Sequence, residues 1–212
     1  MPRYTAREEF ANCLTHGCGV VLSLIGALVL LLVARVSPAP YALASCAIYA
    51  LTLVLLYSAS TLYHSRAWPE AKQLQRTIDH IAIFLLIAGT YTPFVLITLR
   101  GAWGWSLFGI TWACALLGVI FELTTLRRFR RVQIALYIAM GWVGLVAIGP
   151  LVAALPAPGL WLLFGGGVVY TLGVVFYRMH RLRYHHALWH LFVLGGSVLQ
   201  YFAVLHYVLP GA

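Results

Sequence analysis

The sequence predicts an all-α fold: a bundle of seven transmembrane helices, N-terminus cytoplasmic and C-terminus extracytoplasmic. Three observations predict it. Of 212 residues, 62% are hydrophobic and 9% charged, where a soluble domain carries roughly 25% charged residues. Mean hydropathy is +0.90. The apolar residues come in continuous runs of about the length a helix needs to cross a bilayer, and the runs do not alternate in polarity as the strands of a lipid-facing barrel do. The cations gather in alternate loops. Composition excludes a soluble globular enzyme, and high hydrophobicity excludes a disordered chain.

The first run, Gly17–Val36, follows Glu8 and Glu9, and no cationic stretch leads into it. It is expected to be a retained helix, not a cleaved signal peptide. The second is Pro40–Tyr63 and the third Ile78–Leu99. Pro93 is expected to kink the third toward its outer end, where neighbours can satisfy the freed carbonyl. The fourth is Ala102–Leu123, the fifth Val132–Leu155 and the sixth Gly159–Tyr177. Pro156, Ala157, Pro158 and Gly159 punctuate the boundary between the last two. The seventh is His186–Leu209. No internal repeat or low-complexity linker interrupts the series, so residues 1–212 are read as one domain.

Charge sets the orientation. Of fourteen Lys and Arg, all but Arg35 and Arg100 fall in the N-terminal tail or in the loops after runs two, four and six. These are Arg3, Arg7, Arg66, Lys72, Arg76, Arg127, Arg128, Arg130, Arg131, Arg178, Arg181 and Arg183. The positive-inside rule makes that side cytoplasmic. Topology and anionic headgroups then account for the net charge of +9, and no nucleic-acid partner is expected. Trp103, Trp105 and Trp161 are expected at the outer interface, and Trp68 and Trp189 at the inner one. Gly141 with Gly144, Gly165–Gly167, and Gly195 with Gly196 are expected to let helices approach closely. Cys13, Cys18, Cys46 and Cys114 form no Cys-x-x-Cys pair and read as small buried apolar residues.

Histidine carries the functional signal. Seven of the eight lie toward the cytoplasmic side, and only His206 lies near the outer face. His186 and His190 are four apart, hence on one helical face. Ser60 and His64 repeat the spacing at the end of run two. Run three starts at the same depth with Asp79 and His80. Three helices thus bring His64, Asp79, His186 and His190 into one leaflet. Three protein ligands with a fourth position open is the pattern of a catalytic zinc site. An acid inside an apolar helix points to function, although Asp79 also suits a helix N-terminus. The bland readings are interfacial for His16, His80, His180 and His185, local pairing with Arg127 and Arg128 for Glu122, and a bond to its own helix backbone for Ser60.

Ser60-x-x-x-His64, Asp79 and His186-x-x-x-His190 resemble the signature of the hemolysin III family, within the superfamily of progestin and adiponectin receptors. Glu8-Glu9-Phe10-Ala11-Asn12 with Thr15-His16-Gly17 resembles the opening of that family. The long soluble extension of the adiponectin receptors is missing, so the bacterial-type branch fits better. The resemblance implies a zinc ion on His64, His186 and His190, with Asp79 beside a zinc-bound water and Ser60 lining the site. By similarity to adiponectin receptors and alkaline ceramidases, it implies hydrolysis of a ceramide-like lipid amide from the cytoplasmic leaflet. Zinc would lower the pKa of water to about 7 and polarise the carbonyl. Asp79 would carry the proton to the leaving amine, and Ser60 would orient the water or the carbonyl. The competing reading is a membrane sensor, or a regulator of fluidity or energetics, with a structural zinc and Asp79 as fourth ligand. A pore is the third reading. Thr90, Thr92, Thr98 and Ser106 offer it only a thin polar lining.

Overall fold

The computed structural model describes residues 4–65 and 69–210. Arg3, Arg66 and Trp68 lie outside the described residues. Among the described residues there are helices and no strands, and seven helices are long and apolar enough to span a membrane. They are α1 Ala6–Val36, α2 Ala42–His64, α3 Lys72–Leu99, α4 Gly101–Leu123, α5 Arg130–Ala154, α6 Ala157–Arg178 and α7 His185–Val208. Short connections make neighbours antiparallel. α1 packs on α2 and α7, α2 on α3, α3 on α4 and α5, and α6 on α7.

Two helices begin more than a turn earlier than hydropathy predicts. α1 starts at Ala6, not Gly17, because a capping box fixes its first turn. The Thr5 hydroxyl accepts from the Glu8 amide at 3.3 Å, and the Glu8 carboxylate accepts from the Thr5 amide at 2.8 Å. Such a box satisfies two otherwise unpaired donors. α3 starts at Lys72, not Ile78. Asp79 therefore sits two turns inside its helix, beyond the first turn where the dipole favours an acid.

Local departures from α geometry have local causes. After Pro93 the chain widens into a π-helical segment over Phe94–Leu99, because proline supplies no amide proton to the ladder. α5 is interrupted by a 3-10 segment, Val143–Ala147. There the Tyr91 hydroxyl donates to the Gly141 carbonyl at 2.7 Å and accepts from the Gly144 amide at 3.0 Å. A side chain inserted into a helical ladder breaks its register.

The main core joins α1, α2, α3 and α7 through Leu30, Tyr49, Leu53, Leu56, Tyr57, Phe94 and Val204. α1 turns Leu22, Ile25, Leu28 and Leu32 outward, as a lipid-facing helix does. Only part of the small-residue expectation holds. A Cβ on Gly166 would lie 3.1 Å from the Gly196 carbonyl, and one on Gly196 would lie 2.8 Å from the Tyr170 ring. These two glycines do bring α6 and α7 together. Gly141 has nothing within 4 Å of its would-be Cβ and seats no neighbour. The cysteines are all free, but only Cys46 is buried and Cys18 is exposed. Trp103, Trp105 and Trp161 are exposed. Trp189 instead packs against Tyr177 and lines an internal cavity.

Candidate metal centre

The start of α1, the end of α2 and the start of α7 meet at one end of the bundle. There His64, His186 and His190 are 1%, 9% and 2% exposed, so their ring nitrogens meet one another and not water. One nitrogen of each lies within 4.8 Å of one from each of the others. The closest approach is 3.1 Å, between Nε2 of His64 and Nε2 of His186.

The backs of two rings are held. His64 Nδ1 lies 2.6 Å from a Glu9 carboxylate oxygen. A carboxylate only accepts, so Nδ1 carries the proton and Nε2 presents its lone pair to the cluster. His190 Nδ1 lies 3.1 Å from the Asn12 carbonyl, another pure acceptor, and 3.1 Å from the Thr15 hydroxyl. The same inference turns its Nε2 lone pair inward. Lys72 donates to Glu9 at 3.4 Å and to the Tyr63 carbonyl, which fixes the carboxylate in turn. This is how metal-binding histidines are usually oriented. The donor set fits zinc. Two nitrogens at about 2.05 Å from a tetrahedral ion stand about 3.3 Å apart, close to the 3.1 Å between His64 and His186.

A cavity of about 150 Å³ runs from this cluster between α3, α5, α6 and α7. His186, His190, Ser60 and Asp79 line its polar end, and Leu86, Ile87, Ile138 and Val193 are among its apolar walls. The Ser60 hydroxyl is buried and has no hydrogen-bond partner, so it does not bond its own helix, unlike Thr61, whose hydroxyl reaches the Tyr57 carbonyl at 2.7 Å. Asp79 is 7% exposed and forms no ion pair among the described residues.

Three of the interfacial histidine readings do not hold. His16 is buried and stacks on His190 with ring centroids 3.5 Å apart, leaving both its nitrogens unpartnered. His185 is buried beneath the edge of His180. His80 meets Glu122 at 3.4 Å and Arg130 at 2.8 Å. Glu122 is therefore not a surface acid beside Arg127 and Arg128: it is 1% exposed, and its partner is His80. His180 is exposed, as expected.

Sequence reasoning missed the supporting role of α1. Glu9, Asn12 and His16 recur at three and four residues, one face of a helix, and Gly19 and Ser23 continue that buried stripe. A polar stripe on an otherwise apolar helix was the signal. Tyr4 lies over the cluster, its ring centroid 5.2 Å from that of His186. Burial pushes its phenol above the usual tyrosine range, so it stays a neutral hydroxyl.

A family model described as Haemolysin-III related matches residues 4–201. The chain is 46% identical to Hemolysin-3 of Bacillus cereus, over 97% of this chain and 94% of the relative. It is 42% identical to the Hemolysin-3 homolog of Bacillus subtilis, over 96% of each. It is 28% identical to the human monocyte to macrophage differentiation factor, over 96% of this chain and 86% of that protein.

Proposed function

From the premise that the chain belongs to the Haemolysin-III related family, a multi-pass integral membrane protein of the cell membrane, we propose a zinc-dependent hydrolase of lipid amides. In this reading His64, His186 and His190 hold the ion near the cytoplasmic face. The observation that carries it is the pairing of held and free groups. Glu9 and the Asn12 carbonyl fix two imidazoles from behind, while on the cavity side the Ser60 hydroxyl makes no close hydrogen bond and has Asp79 beside it. A purely structural site has no need of an unsatisfied hydroxyl beside it.

Bound zinc supplies a Lewis acid and a water of lowered pKa. The protein's own residues do the rest. The apolar walls contributed by Leu86, Ile138 and Val193 take the acyl chain and exclude bulk water. Ser60 Oγ donates to the amide carbonyl and sets its angle. The Asp79 carboxylate accepts a proton from the attacking water and returns it to the leaving nitrogen, so that the amine departs neutral.

Elemental analysis of the detergent-purified protein tests the metal. About one zinc per chain is expected, with loss in each of His64→Ala, His186→Ala and His190→Ala. Freshly prepared wild type without metal would overturn the site. Release of fatty acid from a fluorescent ceramide tests the chemistry. Asp79→Asn should keep its zinc and lose about 10²-fold or more in turnover. Metal-replete wild type that cleaves no lipid amide would leave the structural reading standing.

A further inference from the structure

A second polar site lies at the same end of the bundle, between the end of α4 and the starts of α3 and α5. It is an open pocket of about 490 Å³ lined by Arg76, Arg127, Arg128 and Arg130 with Thr124, Thr125 and Leu123. Arg76 and Arg130 are half-buried, and Arg127 and Arg128 are exposed. Arg130 is anchored on one side only: one of its terminal nitrogens reaches His80 Nδ1 and the side-chain amide oxygen of Gln133, each at 2.8 Å.

Among the described residues, no carboxylate lines this pocket. The chain has five acids, all among the described residues. Glu8 caps α1, Glu9 pairs with His64 and Lys72, and Glu122 pairs with His80. Asp79 faces the internal cavity and Glu70 lies in the exposed turn before α3. Among the described residues, none of the four arginines is within 4.0 Å of a carboxylate. Half-buried cations without a carboxylate partner are costly, and Arg76 and Arg130 are such cations, so the arrangement suits an anion from outside. Arg128 lies over the Phe129 ring as Arg183 lies over the Tyr184 ring, but the second cationic loop has an acid at hand: the amide of Tyr184 donates to Glu8 at 3.4 Å.

The geometry points to a binding site for the phosphate of an anionic phospholipid in the bilayer leaflet. The arginine fork suits phosphate oxygens, and basic pockets between transmembrane helices take anionic headgroups. Membrane lipid is the source, because the rim is apolar. Leu123, Leu126 and Phe129 are 65%, 45% and 46% exposed beside the arginines, which suits acyl chains and gives a free phosphate nothing. The Thr125 hydroxyl, at the pocket wall, is placed to donate to the same group. This site does not depend on the proposed hydrolase, and either can fail alone.

Native mass spectrometry of the full chain in mild detergent tests it, with phosphatidylglycerol and phosphatidylcholine as probes. Wild type should retain phosphatidylglycerol preferentially. Arg127→Ala with Arg128→Ala should weaken that retention by about tenfold or more, while Arg181→Ala with Arg183→Ala should leave it within about twofold. Both doubles change exposed residues, and unchanged helicity by circular dichroism checks the fold. If the alanine pair does not purify folded, Arg127→Lys with Arg128→Lys decides, keeping charge but losing the fork, with a partial loss expected. Equal retention of the two lipids, or equal loss in both alanine doubles, would overturn the site. Displacement of phosphatidylglycerol by inorganic phosphate alone would overturn the assignment to a lipid.

Discussion

Glu9 shows how much a single residue outside the ligand set can decide. Its carboxylate holds the proton on His64 Nδ1, and so directs the other nitrogen toward His186. Glu9→Gln keeps the size and offers only a neutral acceptor. Loss of such a partner typically costs 10- to 100-fold in metal affinity. In competition with a chelator, Glu9→Gln should lose zinc at about 10-fold lower chelator concentration, yet still bind one ion at saturation. Equal chelator resistance in the two proteins would show that Glu9 does not orient the ligand. His64, His186 and His190 were legible in the sequence because helical spacing and depth are both readable from a list of residues. Glu9, Asn12 and His16 were not, because the hydropathy of run one rises only after Gly17. The polar turn before it looked like a tail. Once Thr5 and Glu8 cap the helix at Ala6, that turn becomes an interior face. The partner of Glu122 is hidden for a related reason: its sequence neighbours Arg127 and Arg128 suggest one, while His80, which it meets, is on another helix.

At the scale of helices, close approach and register decide stability. All seven spans were legible, since each needs only length and apolar content. The π segment after Pro93 and the 3-10 break in α5 were not. The second depends on Tyr91 reaching across from α3, and no local pattern records a contact between helices. Tyr91→Phe should let Gly141–Ala147 regain a regular ladder, so amide exchange there should slow while the rest of the bundle keeps its protection. Faster exchange would mean that the hydroxyl holds the segment and does not break it. Glycines give a paired test. A Cβ at Gly104 would lie 2.3 Å from the Val95 carbonyl, where α4 crosses the π segment, and a backbone atom cannot step aside. Gly109, in the same helix, has nothing within 4 Å of its would-be Cβ. Gly104→Ala should therefore destabilise by about 1–3 kcal/mol, and Gly109→Ala should be neutral or stabilising by up to about 1 kcal/mol. Thermal unfolding in one detergent compares them. Equal melting temperatures would place α4 farther from α3 than the packing requires.

For the whole molecule, the fold gathers almost all its chemistry at one end. The histidine cluster, Asp79 and the arginine pocket all lie where α1, α3, α5 and α7 begin and α2 and α4 end. The cations among the described residues lie at that end too, apart from Arg35 and Arg100 at the other. Two independent properties thus coincide: where the reactive groups are and where the positive loops are. Cationic loops are retained on the cytoplasmic side during insertion, so that end, with its candidate metal centre, should face the cytoplasm. Seven spans should then put the residues that follow α7 on the far side. A C-terminal alkaline phosphatase fusion should be active in a bacterial host, and a C-terminal fusion to a fluorescent protein that folds only in the cytoplasm should be dark. The opposite pair of results would place the histidines toward the outer leaflet. It would also deprive the arginine pocket of the cytoplasmic leaflet's anionic surface, so a single fusion experiment constrains the substrate's leaflet and the lipid site together.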